Sequence, residues 1–376
     1  MNIGRDEKFM REAIRLAWLG QFSTHPNPCV GSVIVKNGEI IGSGYHVKAG
    51  LEHAEINALN QAGSESKGSV VYVTLEPCSF HGRTPSCAQA LIEAGVSRVV
   101  VATIDPDPRN SGKGIAILQG AGIEVVTHLL EENALKLIEG HVQRFIHERP
   151  FVRLKLAMSL DGKTALSNGK SKWITSKEAR ADVQKYRAMS GAIVSGVETI
   201  IKDDPDLSVR LETQDVPNAE ESNELDRPTY VIDSKLRTPP SSRVLGRTST
   251  VLVAAQAARK DLKFDHEVLC FGEKSGKVDL AAFLRELARR EHSYVLFESG
   301  ATLAGALVEE ELVDELILYI APKLLGSSAK SLLKLPELDR ISDSTRFEVK
   351  DVQKIGEDIR VILSPLNRRF ANGKNN

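Results

Sequence analysis

Apolar residues recur through positions 5–22 at the spacing of one helical face, with Phe9, Ile14, Leu16, Ala17 and Leu19 on it, and the run breaks at His25-Pro26-Asn27-Pro28. Val30 to Ile41 is divided by Asn37-Gly38, a dipeptide suited to a tight turn, and predicts a hairpin. A helix over His53–Ala62 follows, then a strand over Val70–Leu75 that ends at Glu76-Pro77-Cys78, and a helix over Pro85–Ala94. Strands over Arg98–Ile104 and Ile123–Leu129 and a closing helix over 131–147 complete the half. Such alternation predicts a three-layer α/β/α sandwich.

Glu148-Arg149-Pro150 interrupts the pattern, so a first domain is expected over 1–147 and a second over 148–366, with 367–376 as a flexible tail. The second half also alternates. Strands are expected near 151–159, 191–195, 229–233, 250–254 and 294–298, and helices near 176–189, 279–291 and 302–311. Thr175-x-x-Glu178 reads as a capping box for the first of those helices. Leu316–Ala321, Phe347–Val352 and Ile359–Leu363 read as strands, the last two joined around Gly356. The acidic stretch from Glu212 to Asp226 reads as a mobile loop. No internal repeat is visible.

Composition narrows this picture without redirecting it. The 376 residues are 41% hydrophobic and 26% charged, which suits two ordinary globular domains. No apolar run approaches the roughly 20 residues of a membrane span, and the charged N-terminus offers no signal-peptide core, so a cytoplasmic protein is expected. Net charge is −1, and a split at residue 147 leaves 13 basic against 15 acidic residues before it and 36 against 35 after it. Neither half has the basic excess that polynucleotide binding normally requires, so a small-molecule substrate is favoured over nucleic acid. Four cysteines do not make a disulfide scaffold; Cys29 and Cys270 read as free thiols.

Cys78 and Cys87 read differently. With His53 they supply one imidazole and two thiolates, which would leave a tetrahedral Zn²⁺ one position for a water, and Glu55 stands two residues from His53 to move that water's proton. The order His-x-Glu, then Pro-Cys, then Cys is that of zinc nucleobase deaminases. Here eight residues separate the cysteines, and His81, Arg83 and Thr84 among them suit a polar or phosphorylated substrate. A structural zinc site would close with four protein ligands and leave Glu55 without a purpose. In the second half Tyr294 to Gly305 reads as a strand, a glycine turn and a helix start, which would suit an anion or simply be a tight turn. Asp203-Asp204-Pro205-Asp206 reads as an acidic turn rather than a metal site.

His25-Pro-Asn-Pro-Cys-Val-Gly31, Gly44-Tyr-His46, His53-Ala-Glu55 and the Pro77–Cys87 segment together closely resemble the deaminase half of the bifunctional riboflavin-biosynthesis deaminase/reductases. Lys155–Gly162, Ser195–Thr199, Asp203–Arg210 and Glu298–Leu303 resemble the reductase half. The resemblance implies a cytidine-deaminase-like domain followed by a dihydrofolate-reductase-like α/β domain, one Zn²⁺ per chain, and NADPH. It implies hydrolysis of the 2-amino group of 2,5-diamino-6-(5-phosphoribosylamino)pyrimidin-4-one, then reduction of the ribosyl group to ribityl.

By the same resemblance His53, Cys78 and Cys87 hold the metal, Glu55 is catalytic, Asn27 and His46 grip the pyrimidine, and His81, Arg83 and Thr84 contact the ribose phosphate. Ala157, Trp173, Thr199, Asp203, Ser234 and the turn formed by Gly300, Ala301, Thr302, Leu303, Ala304, Gly305 and Ala306 face the cofactor. Ser171, Arg187, Leu207, Arg210 and Glu298 face the substrate of reduction. A homo-oligomer, dimer or tetramer, is expected. The competing readings are a nucleotide deaminase with a non-catalytic dimerisation domain, and an RNA-binding or RNA-editing deaminase.

Overall fold

The computed structural model describes residues 3–80, 86–256, 265–274 and 276–366. The chain forms two compact units. The first holds the residues up to Pro150 together with Leu211–Leu225 and Glu291–Ser293; the second holds the remainder.

The first unit is built on a five-stranded sheet. Strands β1 (Gly31–Lys36) and β2 (Glu39–Tyr45) form the expected hairpin, with both turn residues, Asn37 and Gly38, at positive φ. β3 (Val70–Val73) pairs antiparallel with β1 and parallel with β4 (Arg98–Val101), which pairs parallel with β5 (Glu124–Val126). Period-two alternation sends Ile34, Val71, Val73, Val99 and Val101 to one face, against helices α2 (Ala54–Ala62), α3 (Cys87–Glu93) and α4 (Lys113–Gly120). Val33, Val35, Tyr72 and Val100 go to the other, against α1 (Ile3–Ala17). This is the three-layer sandwich, and it buries one helix layer on each side of the sheet.

The second unit carries a nine-stranded sheet. In order across it run Glu267–Phe271, Thr250–Ala255, Thr229–Ile232, Ala192–Gly196, Tyr294–Glu298, Phe151–Ser159 and Glu315–Ala321, all parallel. The hairpin Asp358–Pro365 and Phe347–Ile355 closes the sheet antiparallel, turning at Gly356 as the pattern predicts. Helices Leu280–Arg289 and Ala301–Glu309 cover one face, and Lys177–Ala188 and Val197–Asp203 the other. Among the described residues no helix is long and apolar enough to cross a membrane.

Three local expectations need correction. The closing helix over 131–147 is two helices, Glu131–Leu135 and Glu139–Ile146, because Ile138 leaves the helical region (φ −124°, ψ 22°). The helix near 176 is capped by Ser176, whose hydroxyl accepts from Ala179 N at 3.2 Å, and not by Thr175. The stretch from Glu212 to Asp226 is not a structureless loop: it contains the helix Ala219–Glu224 and buries Val216, Ala219 and Ser222.

Candidate active sites

His53 is the N-cap of α2, in extended conformation (φ −74°, ψ 165°), and Glu55 follows in the first turn. Beyond β3 the chain runs through Glu76 and Pro77 to Cys78, while Cys87 opens α3 behind Ser86, whose hydroxyl caps that helix. The two segments are tied together by bonds from the Ser86 hydroxyl (2.8 Å) and the Ala88 amide (3.2 Å) to the Cys78 carbonyl. The Cys87 amide, at the positive end of α3, donates to the Cys78 sulfur at 3.2 Å.

The three ligand atoms lie within 4.8 Å of one another, with His53 Nδ1 3.2 Å from Cys87 Sγ and 3.8 Å from Cys78 Sγ. Tetrahedral zinc with bonds of about 2.0–2.3 Å needs ligand atoms roughly 3.3–3.8 Å apart. The set therefore fits Zn²⁺ in atom type and in spacing. Hydrogen bonding to Cys87, opposed by burial, brings the Cys78 thiol down to about 4, while the same bond and burial push Cys87 well above its ordinary value. Thiolates rather than thiols bind a cation, so a proton held by the pair must leave when one binds.

Glu55 is only 3% exposed, and burial pushes its carboxyl up to about 7, with His53 working against the shift and Cys78 for it. His46 lies edge-on to His53, ring centroids 5.2 Å apart. Its Nδ1 is 3.0 Å from the Glu52 carbonyl, which can only accept, so that nitrogen carries the proton. Its Nε2, 3.0 Å from Asn27 Nδ2, is then the acceptor. Burial lowers His46 to about 4, in keeping with a neutral ring. These groups line a cavity of about 370 Å³ with Phe80, Asp105, Asp107, Arg109 and His141, a volume suited to a small ligand. His81, Arg83 and Thr84 lie outside the described residues.

Glu76, missed in the motif reading, organises the metal loop from behind. Its carboxylate is 3% exposed and accepts from the amides of Asp105 (3.2 Å), Gly112 (2.9 Å) and Ile115 (3.2 Å). Asn110 adds a bond from the Ser79 amide at 2.8 Å. α4 presses so closely that a Cβ on Gly114 would meet the Pro77 carbonyl oxygen at 1.9 Å. The only sequence signal was an acidic residue at an apolar strand's end. Glu76→Ala takes the acceptor from three amides behind the Cys78 loop, and zinc affinity should fall on the order of 10- to 100-fold, read by competition with a chromophoric chelator.

In the second unit the matching positions gather at the carboxyl ends of the parallel strands, where open α/β sheets place their ligands. Ala157 lies near the end of Phe151–Ser159, Thr199 in the helix after Ala192–Gly196, Ser234 beyond Thr229–Ile232, and Gly300 beyond Tyr294–Glu298. Gly300 is the N-cap of Ala301–Glu309, so Ala301, Thr302 and Leu303 form its first turn; Ala304 and Gly305 are buried, and a Cβ on Gly305 would meet the Lys334 carbonyl oxygen at 2.0 Å. Ala306 is half-buried against the core. Ser299 Oγ and Asp233 Oδ1, at two of these strand ends, are buried without a hydrogen-bond partner among the described residues. Such groups fit a polar cofactor there.

Arg187 donates to both Glu298 oxygens and, at 3.0 Å, to the Ser208 carbonyl, with Lys155 Nζ 3.9 Å from Glu298. Burial alone would raise the Glu298 carboxyl, but Arg187 and Lys155 outweigh it and hold it below its ordinary value. Lys155, inside a quoted motif yet not singled out, thus belongs to this cluster. Ser171 Oγ donates to Asp203 at 3.1 Å, and Asp204 ends its helix in the left-handed region, as an acidic turn would. Leu207 is buried at positive φ; Arg210 is exposed and paired with Asp206 at 3.4 Å, and Trp173 is exposed with Arg180 stacked 4.2 Å over it. Arg187 and Glu298 are thereby brought together, while the Trp173 and Arg210 side chains are exposed.

Residues 3–103 match the family described as cytidine and deoxycytidylate deaminase zinc-binding region, and residues 150–361 match the RibD C-terminal domain. The riboflavin biosynthesis protein RibD of Haemophilus influenzae is 45% identical over 96% of this chain and 98% of its own length. The chain belongs to the RibD family. RibD of Escherichia coli is likewise 45% identical, over 94% of this chain and 98% of its own length. Among solved structures, RibD of Acinetobacter baumannii in form 1 superposes with a TM-score of 0.88 at 41% identity, covering 97% of this chain and 99% of that one. The diaminohydroxyphosphoribosylaminopyrimidine deaminase/5-amino-6-(5-phosphoribosylamino)uracil reductase of Thermotoga maritima gives 0.83 at 31% identity, covering 97% and 100%. As a RibD protein the chain is a bifunctional deaminase and reductase of riboflavin biosynthesis, with a zinc-binding deaminase domain and an NADPH-dependent reductase domain.

Proposed function

We propose that the chain first deaminates 2,5-diamino-6-(5-phosphoribosylamino)pyrimidin-4-one at the 2-amino group and then reduces the ribosyl group of the product to ribityl. The observation that carries the first step is the convergence of His53, Cys78 and Cys87 beside a buried carboxylate, Glu55, at the wall of a small cavity. When bound, zinc supplies Lewis acidity that makes water a nucleophile near neutral pH, and NADPH supplies the hydride.

The chain's own residues do the rest. Glu55, raised by burial toward neutrality, takes a proton from water and returns it to the departing ammonia. His46 and Asn27 hold the pyrimidine edge, and neutral His46 adds no charge beside His53. For the second step Ser299, Gly300 and Asp233 receive the cofactor, while the Arg187–Glu298–Lys155 cluster orients the ribosyl phosphate substrate. Deamination is assigned to residues 1–147 and reduction to 148–366. A homo-oligomer, dimer or tetramer, is supported by the outer strand Phe347–Ile355, which leaves Val349 and Val352 exposed at the sheet edge.

With purified, zinc-loaded chain, ammonia should be released from the diaminopyrimidine phosphate and not from deoxycytidylate. Release from deoxycytidylate alone would overturn this assignment in favour of a single-activity nucleotide deaminase.

A further inference from the structure

Leu211–Leu225 belongs in sequence to the reductase half but folds into the first unit. Asn218 is its anchor. Its backbone adopts the left-handed conformation that asparagine tolerates (φ 55°), and its side chain makes three bonds far away in sequence. Oδ1 accepts from the Tyr45 hydroxyl at 3.0 Å, and Nδ2 donates to the Leu19 carbonyl at 3.0 Å and to Ser23 Oγ at 3.3 Å. Ser23, itself fully buried, donates its own hydroxyl hydrogen bond to the Val47 carbonyl at 2.6 Å. Glu224 pairs with Lys48 at 2.6 Å, a solvent-facing contact of smaller weight.

Tyr45, Val47 and Lys48 flank His46 on both sides. The chain around His46 is thus held by the 211–225 segment directly at Tyr45 and Lys48 and through Ser23 at Val47, while the His46 side chain is aimed by Glu52 and Asn27. We infer that residues 211–225, with Asn218 at their centre, are a positioning element of the deaminase site that sets the placement of His46. The inference rests on the reading of His46 as a pyrimidine-binding group. Asn218 touches no reacting atom; it acts through Tyr45 and Ser23. Deamination therefore depends on a segment supplied by the other half of the chain.

The test uses the full-length, zinc-loaded protein. Asn218→Ala should raise the KM for deamination about tenfold with kcat changed less than about twofold, zinc content kept, and the KM for reduction of the deaminated intermediate unchanged. Asn218→Asp, which keeps the acceptor for Tyr45 but loses the donor to the Leu19 carbonyl and Ser23 Oγ, should raise the KM in the same direction. Tyr45→Phe, which removes one hydrogen bond and leaves the backbone alone, should raise the KM in the same direction. His46→Ala is run beside them. If His46→Ala raises the KM while Asn218→Ala and Tyr45→Phe leave it unchanged, the inference falls alone. If His46→Ala also leaves it unchanged, the reading of His46 falls and takes the inference with it.

Discussion

Glu55→Gln is expected to abolish ammonia release, by a factor on the order of 10²–10⁴, while NADPH-dependent reduction of separately supplied deaminated intermediate proceeds at the rate of the unaltered chain. Glutamine keeps the shape of the side chain in a site that is almost closed to solvent, so packing beside α2 should survive and zinc should be retained. What is lost is the carboxylate that can carry a proton between water and the leaving amine. Because His53, Cys78 and Cys87 are the proposed donors to zinc, the metal site should form without Glu55. Equal loss of both activities in a folded, zinc-loaded variant would contradict the division of labour between the two halves.

The second large effect concerns the metal. Cys87→Ser should take zinc from about one ion per chain to nearly none after dialysis, and deamination should go with it. A serine hydroxyl at neutral pH is not ionised, so the site would keep one imidazole and one thiolate, too few to hold the ion firmly. The replacement is made where α3 begins and where the Cys87 amide bonds to Cys78, so the backbone arrangement can persist without the sulfur. Reduction should be unaffected. Metal analysis reads the outcome, and full retention of zinc and deamination would refute the ligand set.

How far the sequence foretold the molecule depended on whether the signal was local. The convergence of His53, Cys78 and Cys87 near Glu55 is legible because these residues sit within a few residues of helix starts and a strand end, where short spacings define geometry. Six of the seven parallel strands of the second half are legible because buried strands are short apolar runs, as in Tyr294–Glu298 and Thr250–Ala255; the seventh, Glu267–Phe271, is an outer strand with two exposed residues and no such run. α4 was missed: it is eight residues long, begins behind Gly112 in the left-handed region, and has no side-chain cap. The role of Glu76 was hidden because its three partners are amides 29 to 39 residues away, at positions fixed only once the sheet has formed. The stretch from Glu212 to Asp226 reads as mobile because it is acidic and polar, and its order comes from Asn218 bonds spanning 173 to 199 residues. No periodicity can report such contacts. In the reductase half the residues around Gly300 are placed by resemblance, and the burial of Ala304 and Gly305 separates the helix's packing face from its first turn.

On the proposed function one chain carries two consecutive steps, hydrolysis first and reduction second. The most direct measurement incubates the full-length protein with the diaminopyrimidine phosphate, with and without NADPH, and follows ammonia and the ribityl product separately. Ammonia should appear at the same rate in both incubations, and the ribityl product only with NADPH and only after ammonia. Ribityl product formed without ammonia, or no NADPH oxidation after deamination is complete, would contradict it.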